Sequence, residues 1–159
     1  MTDEQQKALA KSVYTDLCKT IEKASIKYEK DEENLVVHFI MQGEDLSIGL
    51  ILIVDADRQL IRILSPLPFK ISKEKRVEGA VMTCIASDKV LDGNFDYDIL
   101  DGTITFRMSA SFRNSHIGEN LFRYMVLYCC KVVDIYNDRF FAVDKGMMSL
   151  DDFIAEETE

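Results

Sequence analysis

Apolar residues near the start of the chain return every three or four positions. Leu9, Val13, Leu17, Ile21, Ala24 and Tyr28 fall on one side, while Lys19, Lys23, Lys27 and Lys30 gather on the other. That period predicts an amphipathic helix over 4–29. The lysine run suits a solvated face, with docking of an acidic partner as the alternative.

From Leu35 the period drops to two. The runs Leu35–Met41, Leu46–Val54 and Gln59–Leu64 are rich in β-branched residues. Gln42-Gly43-Glu44-Asp45 and Asp55-Ala56-Asp57-Arg58 separate them as turns, which predicts a three-stranded meander. With four-residue loops, Met41 faces Leu46, Phe39 faces Ile48 and Val37 faces Leu50, while Leu50 and Leu52 pair onward with Ile63 and Ile61. These residues share one face, the expected core. The other face carries Val36, Ile40, Ile51, Ile53, Leu60 and Leu64, interrupted by His38, Ser47, Gly49 and Arg62. A wet sheet face reads polar. This one does not, so a covering surface is expected over it.

Ser65-Pro66-Leu67-Pro68-Phe69 should break the strand pattern, because proline has no N–H for a ladder. Ser72 is placed to cap a second helix over 73–91, with Val77, Ala80, Val81, Cys84, Ile85 and Leu91 as its buried stripe and Gly93 as its stop. Asp101-Gly102 suits a two-residue type I′ turn. That turn would pair Ile99 with Ile104, Tyr97 with Phe106 and Phe95 with Met108, and on the polar side Asp98 with Thr105 and Asp96 with Arg107. A last helix, from near Ser115 to about Phe141, is apolar over more than half its circumference and should pack on two sides, against the sheet and the first helix. Beyond Ser149, Leu150, Phe153 and Ile154 can dock a short terminal helix.

Composition narrows the possible functions. The chain has 159 residues, with 47% hydrophobic and 30% charged, ordinary for a folded globular protein. With two prolines and no linker it reads as one domain over 1–148, followed by an acidic tail over 149–159. A net charge of −9 argues against a main role in gripping nucleic acid. No run is apolar enough to span a membrane, and Met1-Thr2-Asp3-Glu4 is no signal-peptide core, so a cytoplasmic protein is expected. Cys18, Cys84, Cys129 and Cys130 lack the spacing of a zinc site or a disulfide framework. Cys18, Cys84 and Cys129 read as small hydrophobes on helix faces.

No catalytic constellation emerges. His38 and His116 have no ligand-spaced partner, so no metal site is predicted. His38 could serve as a pH sensor, or simply sit satisfied by one hydrogen bond. The aspartates fall in turns or on outward strand positions, and Asp92–Asp96 lacks the spacing of a calcium loop. Neither a phosphate-binding glycine loop nor a nucleophile elbow is present. Catalytic residues and cofactors are therefore expected to be none.

The expected fold class is α+β: an antiparallel five-stranded sheet in the order helix, three strands, helix, two strands, helix. In that order, and in Val90-Leu91-Asp92-Gly93-Asn94-Phe95, Asp101–Arg107 and Leu121-Phe122-Arg123-Tyr124-Met125, the chain resembles the YbjN family, whose members share the type III secretion chaperone-like fold. The resemblance spans about 34–143. It implies a bacterial cytoplasmic protein of the kind labelled a sensory transduction regulator, and no catalytic residues. Secretion chaperones of this fold are homodimers that bind extended client segments.

Two functions follow as expectations. The first is a non-catalytic protein-binding module, a regulator or chaperone-like homodimer, meeting its partner through Val36, His38, Ile40, Ile51, Ile53 and Leu60. The second is a small-molecule sensor or enzyme with a pocket between the sheet and the last helix, where Tyr97, Arg107, Tyr124 and Tyr128 supply polar contacts. A structural subunit of a larger assembly is a third, plainer reading.

Overall fold

Thr2 starts the first helix. Its hydroxyl accepts from the Gln5 N–H while the Gln5 side chain accepts from the Thr2 N–H, a capping box. In the computed structural model, which describes residues 2–158, helix α1 runs Asp3–Lys23. It ends earlier than the heptad-like pattern suggests because Ser25 turns to φ 57°. The Ser25 N–H then donates to Glu22 O and the Ile26 N–H to Ile21 O, a Schellman motif that reverses the chain. The freed segment Tyr28–Asp31 becomes strand β1, with Tyr28 opposite Phe39. The sheet therefore has six strands rather than the expected five.

Strands β2 (Val36–Gln42), β3 (Ser47–Asp55) and β4 (Leu60–Lys70) follow, then a 3-10 turn at Lys73–Lys75 and helix α2 (Arg76–Lys89). Strands β5 (Asn94–Tyr97) and β6 (Thr103–Ser111) precede helices α3 (Glu119–Asp144) and α4 (Leu150–Thr158). The sheet is antiparallel in the order β1-β2-β3-β4-β6-β5.

The meander forms, but its register differs from the expected one by two residues: Met41 pairs with Ile48, Phe39 with Leu50 and Leu52 with Ile63. Strand side chains alternate, so an even slip leaves every face assignment intact. Val37, Leu50, Leu52, Ile61 and Ile63 are fully buried on the helix side. The Asp101-Gly102 hairpin also slips by two, pairing Tyr97 with Ile104 and Phe95 with Phe106. Its loop is longer than the predicted two residues: the Asp98 N–H donates to Thr103 O and the Gly102 N–H to Asp98 O. Ile99 and Leu100 are left exposed at the tip.

Two further expectations are corrected. Proline does not end β4. Its pairing with β3 stops at Leu64, so Pro66 and Pro68 lie where that side of the strand is free, at a register irregularity against β6, as proline requires. Helix α2 starts at Arg76, without a side-chain cap from Ser72, whose N–H instead donates to Asp144 Oδ1 at 2.6 Å. It buries Gly79, Met82, Thr83 and Ala86 rather than the predicted valine stripe. Small side chains win there because the Tyr97 hydroxyl lies where a Cβ on Gly79 would go. Val77, Cys84 and Leu91 are exposed as a result.

Helix α3 crosses the sheet and touches β3, β4, β6 and the other three helices. Phe95 meets Phe106, Tyr136 and Phe140 with ring centroids 5.0–5.4 Å apart, the aromatic centre of the core. Helix α4 docks by burying Phe153 and by pairing Glu156 and Glu157 with Arg139.

Candidate functional site

Every strand of the meander sends one set of side chains toward the helices and the other set toward a face that no element among the described residues covers. On that face Val36 lies across from Ile53, His38 from Ile51, Ile40 from Gly49 and Ile51 from Leu64. Asp55 faces Leu60 at the far end. Val36, Ile51, Ile53, Leu60 and Leu64 shield one another and are half-buried, while His38 is exposed and Ile40 is 69% exposed. The expected covering surface does not come from within the chain: α2 packs on β5 and α4, on the helix side of the sheet. The six residues predicted as a partner surface thus form one contiguous strip.

The strip is not flat. Where the β3–β4 ladder stops, the two strands diverge, and Gly49 adds no side chain. A shallow depression of about 530 Å³ opens there, lined by Ile40, Gly49, Ile51 and Pro66 with His38 and Glu29 beside it. Sequence reasoning missed Pro66 in this role by treating it only as a strand breaker.

Charged groups frame the apolar centre. Glu29 and Asp31 stand on the β1 side, opposite His38 and Val36. At the other rim Asp55 holds Arg58 at 3.0 Å and Arg62 at 3.7 Å. Burial pulls the Asp55 carboxyl up, but the Arg58 hydrogen bonds and the charges of Arg58 and Arg62 outweigh it and hold it below the ordinary aspartate value. Arg107 donates to both oxygens of Asp96, at 2.7 and 3.1 Å.

The second predicted set is dispersed. Arg107 lies on the uncovered face, between buried Phe106 and Met108, whereas Tyr97 points the other way and donates its hydroxyl to Arg76 O at 3.1 Å. Tyr124 and Tyr128 stack with centroids 5.5 Å apart on α3. The Tyr128 oxygen accepts from the Leu91 and Asp92 N–H groups, tying down the α2–β5 loop. The four share no cavity.

A cleft between the sheet and the long helix exists elsewhere. It holds about 380 Å³ and is lined by Leu17 and Ile21 of α1, Phe39 and Met41 of β2, and Phe122 and Val126 of α3. Lys23 and Glu119 bridge its mouth at 2.7 Å. Leu17, Ile21, Phe39, Met41 and Phe122 read as ordinary core positions in the sequence, where a gap between elements leaves no mark.

Among the described residues, no group of three or more His, Cys, Asp or Glu side chains is arranged to hold a metal, and no helix is long and apolar enough to cross a membrane. Cys129 is buried as expected, and Cys18 and Cys130 are half-buried, but Cys84 is exposed. Burial pushes the Cys130 thiol up to about 11 and Cys129 further still, which keeps both protonated and unreactive.

No family model matches the sequence, and neither does any curated protein. Solved structures do match the fold. YbjN, a proposed transcription regulator from E. coli, superposes with a TM-score of 0.59 at 9% identity, over 79% of this chain and 92% of that one. The ExsC–ExsE complex gives 0.60 at 12% identity, over 80% and 92%. The chain shares the fold of YbjN and ExsC. An uncharacterized protein from Methanothermobacter thermautotrophicus matches at 0.51 and 17% identity, over 78% and 96%. At these identities the likeness speaks for the fold alone, and it agrees with the architecture that the sequence resemblance implied.

Proposed function

We propose that this chain is a non-catalytic protein-binding module, a regulator or chaperone-like escort of another protein, working in the bacterial cytoplasm as a homodimer. One observation carries the reading: an apolar strip across three strands, with Ile40 69% exposed, faces away from all the helices. A chain that kept that face permanently wet would gain from polar residues at Val36, Ile51 and Ile53. The ExsC–ExsE structure supports the reading as a protein of this fold captured with a partner. The outward face of α2, with Val77 69% exposed beside half-buried Val81 and exposed Cys84, offers a separate surface on which two copies can meet.

The test is co-purification from the native host with wild type and with Ile40→Lys/Ile51→Lys, alongside sedimentation of wild type and Val77→Glu. A stoichiometric partner retained by wild type and lost by the strip variant is expected, as is a dimer that Val77→Glu converts to monomer. Retention of the partner by the strip variant would count against the sheet face. A wild type that stays monomeric across micromolar concentrations would remove the dimer.

A further inference from the structure

Beneath the Lys23–Glu119 ion pair, α1, β2 and α3 do not close on one another. The walls of the 380 Å³ groove left between them are apolar: Leu17, Ile21, Phe39, Met41, Phe122 and Val126. Thr20, the polar residue inside, already donates its hydroxyl to Asp16 O at 2.8 Å. With that proton committed, no side-chain donor is left free inside the groove and the Thr20 oxygen can only accept, so the part of a carboxylate guest that enters is its hydrocarbon. The volume lies at the small end of ligand pockets.

The mouth has the opposite character. Lys23 from the last turn of α1 and exposed Arg123 from the start of α3 both line it. Glu119 is the first residue of α3, whose N-cap, Gly118, has no side chain to satisfy the first N–H groups, so the positive end of that helix lies beside the rim and adds to the cationic field. Glu119 is the one acid on the rim. Lys23 and Arg123 hold its carboxyl below the ordinary glutamate value, Lys23 foremost through its hydrogen bond. In a chain of net charge −9, this is a local excess of positive charge over an apolar slot.

We propose that the groove binds an amphipathic monocarboxylate of the short- to medium-chain fatty acid class. The aliphatic tail lies against Phe39, Met41 and Phe122, and the carboxylate displaces Glu119 from Lys23 and Arg123. The site lies on the helix side of the sheet, apart from the apolar strip, so its fate and that of the protein-binding reading are decided separately.

Calorimetric titration of the full chain with octanoate, octanol and octyltrimethylammonium tests it. Octanoate is expected to bind saturably at one site, octanol about tenfold more weakly, and the cation not at all, since a charge-assisted contact of this kind is worth about a factor of ten. Lys23→Gln/Arg123→Gln, at two exposed positions, should weaken octanoate about tenfold while leaving octanol unchanged. Ala24→Trp, from the exposed rim, should fill the groove and abolish both signals with the far-UV spectrum intact. Absence of saturable octanoate binding, equal affinity for all three probes, or full octanoate affinity in the double variant would each overturn the proposal.

Discussion

Ile40 stands directly across the β2–β3 ladder from Gly49, and the space where a Gly49 side chain would go is empty to 4 Å. The pair is therefore one apolar side chain beside a vacancy on the uncovered face. Gly49 is not in the positive-φ region that Gly93, Gly102 and Gly146 occupy, so its backbone does not require glycine. Gly49→Val should raise the unfolding free energy measured in urea by about 0.5–1 kcal/mol, the usual gain on removing a strand-interior glycine. The same change fills the depression and should weaken partner binding. A destabilised Gly49→Val variant would show that this vacancy is structural rather than functional.

Ser25 pays for the turn that frees β1, since an L-residue at φ 57° carries strain. Ser25→Gly should relieve that strain, less what glycine adds in unfolded-state freedom, for a net gain of about 0.5 kcal/mol. Ser25→Val, β-branched in the same conformation, should lose more than about 1 kcal/mol. Paired urea denaturations read both signs, and a Val variant as stable as wild type would show that the Schellman turn is not needed to release β1.

Stability should depend on pH in two opposed ways. Burial, a hydrogen bond with Asp45 and the charges of Asp45 and Asp134 hold the Asp138 carboxyl above the ordinary aspartate value. Its contribution is full below that ordinary value and is lost as pH rises through the raised one. Asp138→Asn should therefore raise the melting temperature at neutral pH, with the gain shrinking as pH falls through the raised value and gone below about pH 4. Asp55 runs the other way: its carboxyl is held low, so its contribution is full above the ordinary value and is lost as pH falls through the depressed one. Asp55→Asn should cost stability at neutral pH and little in acid. A melting series from pH 7 to 3 checks both, and parallel profiles for the two variants would contradict the assignment.

Much of the fold was readable in the order of residues. Period-two alternation placed Val37, Leu50, Leu52, Ile61 and Ile63 inside and Val36, Ile40, Ile51 and Ile53 outside, and both sets lie where they were expected. The uncovered apolar strip was legible for the same reason, because its residues are apolar at positions where alternation calls for polar ones. The exact pairing was not legible: both hairpins slipped by two residues, since loop geometry sets register and an even slip costs the pattern nothing.

Other features had no sequence signal. The stripe of Val77, Val81 and Cys84 looked like the buried side of α2, yet close approach of Tyr97 selects the face bearing Gly79, Thr83 and Ala86. Helical periodicity carried α1 through Tyr28, because nothing local distinguishes a strand that forms only when β2 is beside it.

Alternation of side chains is a property of each strand, so the chain's own order determined which residues face inward and which outward. Whether an outward face is covered, which side of a helix is the tight one, and where three elements fail to meet depend on distances between segments far apart in the chain. Only the tertiary structure decided those, leaving the strip around Ile40 and Ile51 bare and the groove beneath Lys23 and Glu119 unfilled.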